Sequence, residues 1–231
     1  MRIVLVLFIL IACALPVRAA PELCENAALQ AAAESGVPAD LLMAVALAET
    51  GLRRGDRRRP WPWAVNREGH GQWLESRAAL EAFATASLQA GRINLDIGCF
   101  QINWRWHGQH FSHPNDLVEP LSNARYAARL LVSLKREFGS WEAASGAFHS
   151  RTPDRAARYA ARVAALRSEA RQALAAAPAP VSRASASGPP DTHRPPRTGV
   201  WQMPTGSVPG AQASLVPGGE SSRPFLNGLS P

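Results

Sequence analysis

Apolar residues recur at intervals of three and four between residues 22 and 174, and this pattern predicts a largely helical domain. Glycine, proline and serine interrupt the pattern at places where helices usually begin and end. The predicted helices are "ENAALQAAAES" ending at Gly36, the segment from Pro38 to Gly51, "SRAALEAFATASLQA" ending at Gly91, residues 120–138 closed by Gly139, "WEAASGAFH" capped by Ser140, and a last helix from Pro153 towards Leu174.

Two stretches break the helical pattern and predict a small sheet. "PWPWAVNREGHGQWL" has a glycine-containing turn between apolar arms, as in a short hairpin. "DIGCFQINWRWH" alternates apolar and polar residues, so we expect one extended strand whose polar row faces a cleft. The apolar row is Phe100, Ile102, Trp104 and Trp106, and the polar row is Gln101, Asn103, Arg105 and His107. The predicted fold class is therefore mainly α (α+β), with a small β-sheet.

The first 19 residues predict a secretory signal peptide. Arg2 precedes an apolar run that is short for a membrane span, and residues 17–19 form a small-residue cleavage site. We expect cleavage after Ala19 and a periplasmic protein. A lipid anchor at Cys13, in the stretch "LIAC", is the alternative. No later segment is long and apolar enough to predict a transmembrane helix.

Composition changes sharply near residue 175. From 175 to 231 the chain is rich in proline, serine, glycine and alanine and lacks apolar periodicity. Such a segment buries too little apolar surface to offset its ordering entropy, which predicts a disordered tail. Residues 22–174 then have the size of one domain.

The cysteines and histidines suggest a disulfide and no metal site. Once the signal peptide is removed, only Cys24 and Cys99 remain, and in an oxidising compartment two thiols most simply form one disulfide. His107, His110 and His113 follow one another closely, but without an acidic or cysteine partner at ligand spacing. We expect solvated loop histidines, and neither a metal nor another cofactor.

The chain is basic, with 25 Lys and Arg against 18 Asp and Glu and a net charge of +7. Nucleic acid is not the expected partner, because an exported protein rarely meets it. An acidic extracellular polymer such as the bacterial wall fits better. A generic solvated arginine surface is an equally open alternative.

The stretch "LMAVALAETG" ends an apolar helix with one carboxylate, Glu49. The positions three, four and seven residues before it are Ala46, Val45 and Leu42, so its helix face is apolar. Desolvation and the carbonyl end of the helix both favour the neutral acid, which is the form that a general acid needs. The alternative is a helix-end glutamate that turns out to solvent.

Four motifs favour the catalytic alternative. "ALAETG", "DIGCFQIN", "NARYAARLL" and "GAFHS", in that order, resemble the motifs of the lytic transglycosylase SLT domain, of the soluble lytic transglycosylase family related to goose-type lysozymes. The resemblance extends from about residue 24 to 159, and "PWPWAVN" and "AFHSRTP" look like its secreted proteobacterial branch. It implies a lysozyme-like helical domain whose small sheet lies beside the substrate cleft, over residues 22–174.

The same resemblance implies the site residues. Glu49 takes the place of the catalytic glutamate, and Thr50 replaces the serine that follows it. The predicted substrate-binding residues are Thr50, Gly98, Gln101, Asn103, Asn123, Phe148 and His149, with Trp63 as a sugar-stacking candidate. Phe148 and His149 replace a tyrosine–asparagine pair, which puts fine substrate preference in doubt. Core packing is the alternative for Phe148 and for the tryptophans.

The implied function is a peptidoglycan lytic transglycosylase. Ordinary glycosidases pair two carboxylates, whereas here only Glu49 lies in an apolar setting. The resemblance implies that the substrate's N-acetyl group assists and that Glu49 acts as acid and then as base. The alternatives are a hydrolytic lysozyme that uses Asp96 or Glu68 and a non-catalytic peptidoglycan-binding module. We expect a monomer that acts on glycan strands, either in general wall turnover or with a secretion or flagellar apparatus.

Overall fold

The computed structural model describes residues 22–176, whereas the predicted signal peptide and the predicted tail beyond residue 176 lie outside the described residues. The helices are α1 (Glu22–Ser35), α2 (Ala39–Thr50), α3 (Arg77–Gln89), α4 (Trp104–His107), α5 (Asn115–Val118), α6 (Pro120–Phe138), α7 (Trp141–His149) and α8 (Pro153–Ala176), with a 3₁₀ turn at Gly108–His110. The strands are β1 (Gly51–Arg54), β2 (Arg57–Pro60), β3 (Ala64–Arg67), β4 (His70–Trp73), β5 (Leu95–Ile97) and β6 (Ile102–Asn103). The mostly helical class with a small antiparallel sheet is thus confirmed.

The predicted helix ends are found where local chemistry satisfies the free backbone groups. The hydroxyl of Ser76 accepts a hydrogen bond from the N–H of Ala79 at the start of α3, and Ser140 accepts one from Ala143 at the start of α7. Gly139 ends α6 with φ of +84°, a conformation that glycine adopts without steric cost. The last helix continues to Ala176, two residues into the segment that was predicted to be tail.

Helix α2 forms the centre of the core. Every residue from Leu41 to Thr50 is buried, because the sequence offers almost no polar face to solvent. It packs against α1, α8 and β2. Asp40 at its start accepts hydrogen bonds from Arg167 (2.8 and 2.9 Å) and Arg171 (3.0 Å) of α8, so these two helices are also joined by charge.

The strands form two antiparallel units. β1 and β2 make a separate hairpin, and the larger sheet has the strand order β4-β3-β5-β6. The predicted hairpin is confirmed as β3 and β4, in a register that pairs Ala64 with Trp73 and Arg67 with His70. Glu68 and Gly69 have φ of +55° and +92°, which is the geometry of a two-residue turn matched to the twist of the strands.

The prediction of one continuous strand over "DIGCFQINWRWH" is wrong. β5 and β6 lie antiparallel, with Asp96 opposite Asn103, and residues 98–101 reverse the chain between them. Gly98 and Gln101 have φ of +78° and +48°, so the reversal depends on backbone conformations that alternation of residue types does not encode. The chain then becomes helical in α4. The predicted polar row is therefore split, with Gln101 and Asn103 buried and Arg105 exposed.

Cys24 and Cys99 form the predicted disulfide, which joins α1 to the reversal at residues 98–101 across a sequence separation of 75. Arg59 on β2 adds ion pairs to α1, at 2.6 Å from Glu25 and 3.0 Å from Glu22. The N-terminal helix is thus fixed to both strand units. Over residues 22–176, no helix combines the length and apolar character that crossing a membrane requires.

His107 is not the solvated loop histidine that the sequence predicts. It is buried, with Nδ1 2.7 Å from the hydroxyl of Tyr126 on α6. Burial lowers the pKa of His107 to about 4. Burial also raises the pKa of the Tyr126 hydroxyl above its ordinary value. The neutral imidazole therefore serves to join α4 to α6. Across residues 22–176, no three His, Cys, Asp or Glu side chains cluster as metal ligands would.

Candidate active site at the end of helix α2

Glu49 lies in the last turn of α2 with an exposed fraction of 1%. Its Oε1 accepts a hydrogen bond of 2.8 Å from the hydroxyl of Tyr159 on α8. The solvent-facing alternative for Glu49 is thus excluded by its burial. A carboxylate that is shielded from water and held by a defined donor has one orientation, which proton transfer to a bound ligand requires.

Two further side chains surround this pair. The ring of His149, at the end of α7, stacks on the ring of Tyr159 with centroids 4.5 Å apart and an interplanar angle of 2°. Arg162, one turn along α8, donates a hydrogen bond of 3.3 Å to the carbonyl of Ala48. Burial lowers the pKa of Arg162, an effect that Tyr159 and Glu49 oppose by attraction. Helices α2, α7 and α8 therefore meet at the Glu49 carboxylate.

Thr50 stabilises the C-terminal end of α2 through hydrogen bonds of its hydroxyl. Its hydroxyl lies 3.1 Å from the carbonyl oxygen of Cys99 and 3.2 Å from that of Ala46, and it accepts a hydrogen bond of 3.2 Å from the N–H of Trp61. One side chain thereby joins the end of α2 to the disulfide-linked reversal and to the segment before β3. The residue next to Glu49 holds the helix end in place.

Gly98 and Gln101 shape the reversal. A Cβ on Gly98 would lie 2.8 Å from the carbonyl oxygen of Leu117 and 2.9 Å from Nδ2 of Asn123, so no larger residue fits there. Gln101 donates from Nε2 to the carbonyls of Gly98 (3.0 Å) and Ala64 (3.2 Å). Its Oε1 is buried and has no hydrogen-bond partner among the described residues. An unsatisfied buried acceptor at a backbone outlier fits a ligand-binding position.

Asn123 on α6 stabilises the same reversal. It is fully buried, and it accepts a hydrogen bond from the N–H of Phe100 (2.9 Å) while donating to the carbonyls of Ile97 (2.8 Å) and Leu117 (3.0 Å). These bonds commit its amide to the backbone. Asn123 is thus a positioning residue for the turn, and the predicted contact with substrate does not follow from its geometry.

A buried polar row crosses the sheet. Asn66 on β3 lies opposite Asp96 on β5, which lies opposite Asn103 on β6, so the three side chains share one sheet face. Asn103 donates from Nδ2 to Asp96 (2.9 Å) and to Asn94 (2.9 Å). The Oδ1 atoms of Asn66 and Asn103 have no partner among the described residues. The alternation of residue types predicts Asn103 in such a row, whereas Asn66 was not predicted.

Phe148 and Trp63 occupy packing positions. Phe148 is fully buried among core residues, so core packing, the alternative to substrate binding, describes its position. Trp63 has an exposed fraction of 6%, which leaves little ring face for a sugar. The stacking role of Trp63 is therefore not supported by its position, whereas His149 stays beside the site through its contact with Tyr159.

Tyr159 and Arg162 are the site residues that sequence analysis missed. Tyr159 is one of two tyrosines in the chain, and it is followed by arginine at the helical spacing of three. An aromatic hydroxyl with a cation on the same face of an alanine-rich helix was the available signal. Glu49 is 110 positions away in the sequence, so the contact itself could not be anticipated from local pattern.

Replacing Tyr159 with Phe removes the hydroxyl that donates to Glu49 and keeps the ring that stacks on His149. If the protein cleaves peptidoglycan, as the resemblance to SLT domains implies, we expect kcat to fall about tenfold or more with KM unchanged, because a hydrogen bond to a charged group contributes roughly 1.5–3 kcal/mol. Steady-state kinetics on soluble fragments measure the split. Tyr126→Phe removes the other tyrosine hydroxyl and should lower the melting temperature without changing kcat. A Tyr159→Phe variant with unchanged kcat would remove Tyr159 from the site.

Comparisons of the chain with protein-family models, with curated proteins and with solved structures found no match. The similarity to SLT domains therefore rests on the four motifs. Of the residues in those motifs, Thr50 contacts the reversal at 98–101 directly, through the carbonyl of Cys99. Glu49 and His149 are connected indirectly, because both contact Tyr159.

Proposed function

We propose that this protein is a peptidoglycan lytic transglycosylase in which Glu49 is the catalytic acid and base. The observation that carries the proposal is the buried Glu49 carboxylate, held by Tyr159 beside the polar reversal at residues 98–101. The four sequence motifs support the same assignment. The substrate is the β-1,4-linked glycan strand of the wall, cleaved between N-acetylmuramic acid and N-acetylglucosamine.

Glu49 would transfer one proton in each of two steps. In the first, its carboxylic acid protonates the glycosidic oxygen while the N-acetyl carbonyl oxygen of the muramic sugar attacks C1, and the C1–O bond breaks. In the second, the Glu49 carboxylate takes the proton of the 6-hydroxyl, whose oxygen attacks C1 and displaces the N-acetyl oxygen. The product is a 1,6-anhydro ring, the proton is back on Glu49, and no water is consumed.

The surroundings of Glu49 suit this double role. In the free protein, burial keeps the Glu49 carboxylate away from bulk water. The hydroxyl of Tyr159 donates a hydrogen bond to one oxygen of the Glu49 carboxylate, and this bond also sets the orientation of the other oxygen. The unpartnered amide oxygens of Gln101, Asn66 and Asn103 are acceptors of the kind that sugar hydroxyls and amide N–H groups satisfy.

A hydrolytic lysozyme is the second candidate, and Asp96 is the observation that favours it. Asp96 is buried in the polar row of the sheet and accepts a hydrogen bond from Asn103. Glu68, the other carboxylate considered, lies exposed at a hairpin turn and pairs with Arg92 at 2.5 Å. Only Asp96 is thus in a setting where it could position a water molecule.

The products distinguish the two candidates. A transglycosylase releases fragments ending in 1,6-anhydro-N-acetylmuramic acid, which are lighter by one water, about 18 Da, than the reducing ends that a two-carboxylate hydrolase leaves. We expect mainly anhydro ends in the mass spectrum of a purified digest. A digest dominated by reducing ends would show that the protein is a hydrolytic lysozyme. An Asp96→Asn variant would then be expected to lose activity.

The proposal includes export to the periplasm. The disulfide between Cys24 and Cys99 fits an oxidising compartment, which is where the glycan substrate lies. Whether the enzyme serves wall turnover or a secretion or flagellar apparatus depends on partners, and the proposal is the same for either.

A further inference from the structure

The hairpin of β1 and β2 follows the site directly, since β1 begins at Gly51, two residues after Glu49. Its ten residues, "GLRRGDRRRP", include five arginines and one acidic residue. The register places Arg53 opposite Arg58 and Arg54 opposite Arg57. Like charges directly opposite one another destabilise an antiparallel pair, and here two such pairs are consecutive.

Most of this charge is not neutralised by carboxylates of residues 22–176. Arg59 pairs with Glu22 and Glu25 of α1, and Arg54 lies over the ring of Trp61 at 4.1 Å. Arg53 donates to the backbone carbonyl of Asp56 at 3.3 Å. Within residues 22–176, neither Arg53 nor Arg58 has a carboxylate at ion-pair distance. The repulsion between these two side chains would be relieved by an anion bound between them.

Arg58 also packs over Gly51, which follows Glu49 by two residues in the sequence. A Cβ on Gly51 would come within 2.7 Å of Cδ and 3.0 Å of Cγ of Arg58, so the stem of this arginine crosses the backbone just after the catalytic helix. Arg58 and Glu49 both act electrostatically on Arg162, one by repulsion and the other by attraction. Positive charge is therefore arranged on the hairpin side of the Glu49 carboxylate.

We propose that Arg53 and Arg58, on one face of the β1–β2 hairpin, bind carboxylates of the peptides attached to the glycan strand. This inference rests on the proposed function, because it names the part of that substrate which the hairpin contacts. The sugar backbone offers hydroxyl and amide groups, whereas the attached peptides carry free carboxylates, and guanidinium groups bind these with matched geometry.

The test measures binding and uses two forms of wall. Glu49→Gln protein is incubated with peptide-bearing wall and with the same wall after its peptide carboxylates were converted to methylamides with a carbodiimide, and the bound fraction is measured by sedimentation. Adding Arg58→Gln or Arg53→Gln should weaken binding to the untreated wall about twofold to fivefold each, as expected for ion pairs exposed to solvent. Binding to the methylamide wall should not change.

Two further variants serve as controls. Arg136→Gln removes one exposed guanidinium in the last turn of α6, with the same change in net charge, and should affect neither form of wall. Arg58→Lys keeps the charge and should recover part of the binding. Arg53→Gln guards against a structural effect, because the exposed side chain of Arg53 supports only the Asp56 carbonyl, whereas Arg58 packs on Gly51.

Equal losses on both forms of wall, or no loss on either, would overturn the proposal. So would a larger loss on vesicles of phosphatidylglycerol or on duplex DNA, either of which would identify another anionic partner for the hairpin. Cleavage of the two forms by the unsubstituted protein is measured separately. If it cleaves neither, the proposed function fails, while the binding ratios still decide whether the hairpin recognises peptide carboxylates.

Discussion

Replacing Glu49 with Gln should lower the rate of wall cleavage by roughly 10³-fold or more, since general acid–base catalysis by one group typically contributes 10²- to 10⁴-fold and, in the proposed mechanism, Glu49 acts in both steps. Glutamine has the same shape as glutamate, and its amide oxygen can still accept the hydrogen bond from Tyr159. Only the proton that is transferred is lost. The fold and the binding of wall fragments should therefore persist.

The measurement is the rate of release of soluble fragments from purified wall, with circular dichroism and thermal unfolding as the check on folding. Glu75→Gln is the matched control, because Glu75 is an exposed loop carboxylate and its loss should leave the rate unchanged. A folded Glu49→Gln protein that still degrades wall would remove Glu49 from the chemistry. If the unsubstituted protein binds wall but does not cleave it, the protein is the peptidoglycan-binding module.

Local signals were enough to predict the six longer helices, whereas the short helices α4 and α5 were not predicted. Proline, serine and glycine at the ends of α2, α6 and α7 act within a few residues of where they stand, and Ser140 and Gly139 are found in the geometry that their chemistry favours. The same is true of the β3–β4 hairpin, whose turn lies at Glu68 and Gly69. These elements needed no knowledge of the tertiary structure.

The β1–β2 hairpin was not predicted, and its composition explains why. Its strands are mostly arginine, so they lack the apolar–polar alternation by which a half-buried strand is recognised. Leu52 packs on the core and Arg59 is held by carboxylates of α1, but those contacts come from tertiary structure. A polar strand that is stabilised by distant partners resembles a loop in the sequence.

The site was predicted in part for a related reason. Glu49 and Thr50 stand out because they end an apolar helix, and Gln101 because it lies in a recognisable motif. The hydroxyl that donates to Glu49 belongs to Tyr159 of α8. The amide of Asn123 forms its hydrogen bonds with the backbone at and around the reversal. Motifs indicate which residues matter, whereas the division between substrate contact and support depends on three-dimensional contacts.

Support for the site converges on residues 98–101, so we expect the disulfide to contribute to activity as well as to stability. The carbonyl of Cys99 lies 3.1 Å from the hydroxyl of Thr50, and Cys99 is covalently bound to Cys24 of α1. Loosening this reversal would therefore release the end of α2 that carries Glu49. The same reversal holds the unpartnered acceptor of Gln101.

Replacing Cys24 and Cys99 together with Ser should lower the free energy of unfolding by about 4.5 kcal/mol, the value that the loop-entropy model gives for a separation of 75 residues. For a domain of this size, that corresponds to a fall in melting temperature of roughly 14 °C. Differential scanning calorimetry measures it, and unsubstituted protein in reductant should melt like the double variant. Near the new melting temperature, activity should be lost before the helical signal, because the reversal that braces Glu49 is freed first. A melting temperature that neither substitution nor reductant changes would show that the packing of α1 against α6 already fixes the N-terminal helix without the covalent bond.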